Sequence, residues 1–190
     1  MKKEFRNAAG EIERCDEAQE SFYGYKNFKK IRQGQRWGVV NEDYEEILPC
    51  RYDSVEVWPQ GCIVIEQNGK FGIVNENGEP LVPCIYDEID GEFSGEYLRV
   101  ERDGKWGLVY KDGKEALPCK YDYVDTFYGD YAKVGLNGGG YGVVNEEGVE
   151  VFPCEYGEVT IEDVSEEGYT EFELDGKTVR RYDNGEVYWD

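Results

Sequence analysis

Four cysteines recur at one position of a repeat, and thiols are the first side chains here whose chemistry must be weighed. Cys50, Cys84, Cys119 and Cys154 each follow a proline, at spacings of 34, 35 and 35 residues. A zinc site needs ligands in close pairs such as C-x2-C, and the chain has neither such a pair nor any histidine. One thiol per unit reads instead as a small apolar side chain at an equivalent core position. Cys15 and Cys62 lie outside that row. Carboxylates are abundant, and pairs such as Asp43/Glu45 and Glu146/Glu147 invite a hydrolytic reading. General acid–base work needs two carboxyl groups held in different environments across a cleft, and no singular pair stands out. Asn75-Glu76-Asn77-Gly78-Glu79 lacks the alternate ligands and the twelfth-position Glu of a calcium loop. No metal, cofactor or catalytic residue is expected, and the chain is read as a non-enzyme.

The aromatic side chains recur as well. Trp37, Phe71, Trp106 and Tyr141 each precede a glycine, and Tyr52, Tyr86, Tyr121 and Tyr156 each follow a cysteine by two residues. Such rows could stack sugar rings or proline-rich peptides. Strict repetition favours rings that fill the same slot between units. Trp58, Phe93 and Phe127 share a further slot beside loops that differ from unit to unit. With Tyr128 and the acids Glu162, Asp163, Glu166 and Glu167, they are the candidate partner contacts.

A fixed period of 34–35 residues is the mark of a repeat architecture. Each unit reads as three short strands. A first strand such as Ile63 to Glu66 or Tyr97 to Glu101 ends at Asn68-Gly69 or Asp103-Gly104, dipeptides that tolerate positive φ at both turn positions. A second strand carries the aromatic-Gly pair, and a third runs into Pro-Cys-x-Tyr after a turn such as Asn77-Gly78 or Asp112-Gly113. Alternation sets Trp106, Leu108 and Tyr110 on one face and Gly107 and Val109 on the other. The glycine marks a place where another backbone or ring approaches closely, and the proline requires an edge or a bulge. The expected units are 29–62, 63–96, 97–130 and 131–168. A degenerate cap covers 1–28, where Glu13 to Ser21 could form a short acidic helical turn, and a partial unit covers 169–190.

These residues resemble the bacterial WG-repeat (KWG-repeat) family. Lys105-Trp106-Gly107, Pro118, Tyr121-Asp122 and Phe127 fit its pattern almost position for position. Phe71 and Tyr141 in place of Trp, and Gly157 in place of Asp, depart from it. The resemblance implies an all-β repeat with an interaction role and no common catalytic activity. The expected fold is thus all-β, tandem units of about 35 residues built as three-stranded antiparallel meanders. An open, curved, solenoid-like array is preferred and a β-propeller-like closure is the alternative, since ~40-residue blades usually carry four strands.

Charge bounds the partners. With 42 acidic and 21 basic residues the net charge is −21, which opposes nucleic acid and anionic membrane surfaces. A basic protein partner is the complementary choice, and carbohydrate or cell-envelope binding through aromatic side chains is the alternative. The N-terminal residues have no apolar signal core and no stretch suits a membrane span, so a cytoplasmic location is expected.

Overall fold

The computed structural model describes residues 3–20, 28–58, 61–165 and 168–190, with the backbone alone at 20, 92–94 and 163–165. Among the described residues every regular element is a strand. The chain divides into two compact units, residues 1–92 and 93–190.

Unit 1 opens with a hairpin of β1 (Lys3–Arg6) and β2 (Ile12–Cys15). A sheet of β3 (Glu17–Glu20), β4 (Lys29–Gln33), β5 (Arg36–Val40) and β6 (Glu46–Tyr52) follows in sequential antiparallel order. Next comes a second such sheet of β7 (Ser54–Val57), β8 (Ile63–Gln67), β9 (Lys70–Val74) and β10 (Pro80–Tyr86). The acidic helical turn considered for Glu13 to Ser21 is not formed: the described part of that stretch is strand, β2 and β3.

Unit 2 holds three sheets. The first has the order β11 (Glu88–Ser94), β12 (Tyr97–Arg102), β13 (Lys105–Tyr110) and β14 (Glu115–Tyr121), with the division between units falling inside β11. The second comprises β15 (Tyr123–Val124), β16 (Tyr131–Leu136), β17 (Gly140–Asn145) and β18 (Glu150–Tyr156). The last comprises β19 (Val159–Ser165), β20 (Tyr169–Leu174), β21 (Lys177–Tyr182) and β22 (Val187–Trp189). The C-terminal stretch is therefore part of a full sheet.

The antiparallel meander is as expected, with one strand more per sheet. The addition comes from the stretch after each Tyr-Asp, which pairs with the strand that follows it, as Ser54 does with Glu66 and Tyr123 with Gly135. The sheets are consequently out of phase with the sequence units. Four strands fit into 34–35 residues because the added strand takes up the stretch that joins one sequence unit to the next, whether it is two residues long, as in β15, or seven, as in β11. Strand count thus gives no reason to prefer an open array over radial closure.

Local chemistry sets the bends. Asn68-Gly69 and Asp103-Gly104 have positive φ at both positions, the geometry of a two-residue hairpin turn matched to strand twist. Trp106 pairs with Tyr121 but Leu108 with Leu117, so two extra residues of β14 arch outward around Pro118-Cys119. A Cβ on Gly107 would lie 2.5 Å from the Leu117 carbonyl oxygen, which makes glycine the residue that admits this bulge. The same shift occurs opposite Gly38, Gly72 and Gly142.

Within each unit the aromatic face of one sheet packs on the glycine face of the next. In unit 1, Val39, Leu48 and Tyr52 meet Val55, Ile63 and Ile65, while Phe5 and Cys15 of the first hairpin meet Ile31 and Val40. In unit 2, Leu108, Leu117 and Tyr121 meet Val124, Ala132 and Val134, and Phe152 with Val143 meets Phe172 and Val179. Both faces of an inner strand are buried, as the 0% exposure of both Val143 and Val144 records.

Candidate functional site

The repeated residues are consumed by the fold. Each repeat cysteine is free, half-buried and directed at a backbone carbonyl, as Cys119 is at Val100 (3.7 Å) and Cys50 at Ile31 (3.8 Å). Burial raises these thiols above their ordinary range, Cys50 to about 12. They are neutral at physiological pH and poor nucleophiles. Tyr52, Tyr86 and Tyr121 are buried as expected of a core ladder. Trp37, Trp106 and Tyr141 are half-buried, and cations cover their rings: Arg32 on Trp37 (5.6 Å), Arg99 on Trp106 (5.5 Å) and Lys133 on Tyr141 (4.3 Å).

The charged residues of the repeat form a clasp between successive sheets. Lys105 Nζ donates to Asp122 Oδ1 at 2.7 Å within one sheet. The same carboxylate accepts the backbone N–H and the side-chain amide of Asn137, both at 2.9 Å, from the hairpin turn of the next. The Lys105 hydrogen bond, and then Asn137, hold Asp122 below the ordinary aspartate range. Asp53 repeats the arrangement, paired with Arg36 and accepting the Asn68 N–H at 2.6 Å, and Asp16 accepts from Gly34 at 2.9 Å. In the last sheets both clasp partners are lost together, as Gly140 and Gly157. Asp175, in the following turn, accepts the Glu158 N–H at 2.8 Å in their stead. The interaction survives with its carboxylate moved to the other side.

The carboxylate pairs considered for chemistry, Asp43/Glu45 and Glu146/Glu147, lie at exposed turns. One carboxylate of each pair is engaged: Glu45 accepts the Asn41 side-chain amide at 3.1 Å, and Glu146 accepts the Tyr97 hydroxyl at 3.0 Å. Among the described residues no group of three or more His, Cys, Asp or Glu side chains could hold a metal ion.

The candidate contacts separate into three groups. Trp58 is 7% exposed, so its ring is a core side chain and not the exposed contact expected of it; it sits just past β7, in a turn closed by its backbone bonds with Cys62 and Gly61. Phe127 is half-buried and packs on Tyr97 with ring centroids 4.7 Å apart. The side chains of Phe93 and Asp163, and all of Glu166 and Glu167, lie outside the described residues. Tyr128 is 52% exposed, and Glu162 is exposed as well.

Tyr128 lines a cleft of about 280 Å³ in unit 2. One wall is Asp125, Thr126, Tyr128 and Lys133, from the segment after β15 and from β16. The other is Val159, Thr160 and Ile161 of β19. Tyr128 and Ile161, from two of the stretches where the repeat copies differ, thus line one cleft. Sequence reasoning missed Asp125, Lys133 and Thr160, which carry no repeat signal of their own. It also missed Tyr188, 55% exposed beside the exposed Trp189 on β22.

The sequence profile of the family described as WG containing repeat matches residues 37–71, 71–106, 106–139 and 141–177. No curated protein matches the chain significantly. Among solved structures, Kluyveromyces lactis Hsv2 is similar at 9% identity over 85% of this chain and 59% of its own, with a TM-score of 0.37. The computationally designed Ika8 protein gives 13% identity over 95% and 59%, with a TM-score of 0.38. BamB from Moraxella catarrhalis gives 13% over 91% and 60%, with a TM-score of 0.37. The chain spans about three fifths of the length of each, and TM-scores this low carry no functional argument.

Proposed function

We propose that this chain, which belongs to the WG containing repeat family, is a non-catalytic repeat module that holds a basic protein segment. The observation that carries the reading is the cleft at which Tyr128 meets β19. It is built where the copies diverge, and half of its Tyr128 ring is open to solvent. An exposed tyrosine over an apolar floor of Val159 and Ile161 is a common anchor for a partner side chain. Exposed carboxylates at Glu158, Glu162 and Glu173 surround the second wall, and a net charge of −21 favours encounter with a cationic partner.

Carbohydrate binding through the aromatic rows is the weaker reading. The rings of Trp37, Trp106 and Tyr141 already carry protein cations, so a stacking sugar would have to displace them. Retention of a lysine-rich peptide on the immobilised protein, lost as salt rises from roughly 50 to 500 mM, tests the proposal. Retention of neutral glycans instead, unaffected by salt, counts against it.

A further inference from the structure

We propose that the basic segment binds as an added β-strand along the free edge of β19, so that backbone hydrogen bonds hold it and side chains only select it. The inference rests on the reading of the cleft given above and specifies its mode of contact.

The last sheet has the order β19-β20-β21-β22, so β19 has a neighbour on one side only. The direction of its backbone groups follows from the ladder. Asp175 N donates to Glu158 O at 3.1 Å, and the same register runs on through Val159–Leu174, Thr160–Glu173 and Ile161–Phe172. Antiparallel pairs alternate between hydrogen-bonded and non-hydrogen-bonded. Glu158 and Thr160 therefore turn their N–H and C=O groups toward β20, while Val159 and Ile161 turn theirs outward. Outside the β20 ladder neither Val159 nor Ile161 makes a backbone hydrogen bond among the described residues. Both line the cleft, together with the intervening Thr160. Three consecutive residues of a strand can line one cleft only if it runs along the strand's edge, since their side chains alternate between faces.

The facing sheet leaves room there. Its own first strand, β15, is two residues long against seven in β19, and the chain then departs toward Tyr128 after a single Asp125 N to Lys133 O bond of 2.8 Å. Tyr128 is left at the rim, where it can pack on an incoming strand.

Charge selects the occupant. Glu158, Thr160 and Glu162 are exposed, and Glu173 lies directly across from Thr160 on the same face. A strand added beside β19 places every second side chain over these carboxylates, so lysine or arginine at alternate positions is attracted. The strand edge of a second copy of this acidic chain is repelled.

Amide hydrogen exchange of the whole protein tests the proposal, with and without a saturating peptide of alternating lysine and valine. Exchange at Val159 and Ile161 should slow roughly tenfold or more on binding. Exchange at Thr160, already bonded within the sheet, should change little. Ile161→Pro removes an outward N–H that makes no bond within the sheet, together with a half-buried side chain packed on the core. Ile161→Ala removes the packing alone, and the proline variant should bind the peptide roughly tenfold more weakly than the alanine one. Binding that requires Tyr128 but leaves exchange at Val159 and Ile161 unaltered overturns strand addition and leaves the basic-segment reading standing. Failure of the peptide to bind at all overturns both.

Discussion

Lys105 Nζ lies 2.7 Å from Asp122 Oδ1, and the same carboxylate receives the Asn137 backbone N–H from the next sheet. This pair turns two ordinary surface residues into a joint between repeats. The joint explains why a basic residue precedes the aromatic-Gly pair and an acidic one follows the tyrosine. An isolated exposed ion pair contributes little, but here the acid also satisfies a turn N–H that would otherwise face only water.

The clasp makes stability depend on acid. Asp122 is held below the ordinary aspartate range by Lys105 and Asn137, so the folded state binds its proton less readily than the unfolded state. Its contribution is present above the ordinary aspartate range and is lost as pH falls through the lower folded value. Asp122→Asn should lower the melting temperature by a few degrees at neutral pH, and the gap to the parent protein should narrow as pH falls below the ordinary aspartate range. Asp112→Asn is the comparison: its carboxylate meets only Lys114 within its own turn, and the loss should be smaller. Thermal unfolding followed by circular dichroism across pH reads both.

The bulge glycines are the least replaceable residues of the repeat. Gly107→Ala places a Cβ 2.5 Å from the Leu117 carbonyl oxygen and 2.8 Å from the Cys119 nitrogen, neither of which can yield without breaking the bulge. A loss of about 3 kcal/mol is expected from overpacking of this kind. Gly157→Ala, whose nearest neighbour is the Asp175 side chain at 3.3 Å, should cost far less. Urea titration of the two variants distinguishes them, and equal midpoints would contradict the close-approach account.

The thiols should be silent. Burial raises Cys50 to about 12 and raises Cys15, Cys84, Cys119 and Cys154 as well. Because the folded thiols hold their protons more tightly than the unfolded ones, their contribution to stability is fully present below the ordinary thiol range. That contribution falls away as pH rises through the folded value. A thiol-reactive dye at pH 8 should therefore label these five slowly in the folded protein and rapidly in urea. Stability should decline on raising the pH above about 9. Fast labelling of the folded protein at any of the five would show an accessible thiolate.

Much of this was legible from the chain. The period, the Asn-Gly and Asp-Gly hairpins and the crowding at each aromatic-Gly pair follow from residue type and spacing alone. The added strand was not, because its length varies from two residues in Tyr123–Val124 to seven in Glu88–Ser94 and it pairs with the strand beyond the following loop. Nor was the clasp: Lys105 and Asp122 stand 17 residues apart, and each reads alone as a solvated turn charge. Trp58 misled because a large ring beside a variable loop looks exposed, whereas this one is buried. The cleft was half visible, since divergence between copies pointed to Tyr128 and the stretch from Ile161, while their proximity depends on how sheets stack.

Trp58 and Tyr128 should accordingly behave as opposites. Trp58→Ala empties a buried site and should cost about 3–5 kcal/mol of stability. Per folded molecule its affinity for a basic peptide should be unchanged. A variant that stays fully stable yet loses binding would return Trp58 to the contact surface.

The most direct measurement is fluorescence anisotropy of a labelled lysine-rich peptide titrated with the parent protein and with Tyr128→Ala. Tyr128 is half-exposed, so its removal should leave the melting temperature within a few degrees. The account predicts salt-sensitive binding to the parent that weakens roughly tenfold in the variant, as loss of an aromatic anchor does. Equal binding by the two proteins, or none by the parent, would contradict it.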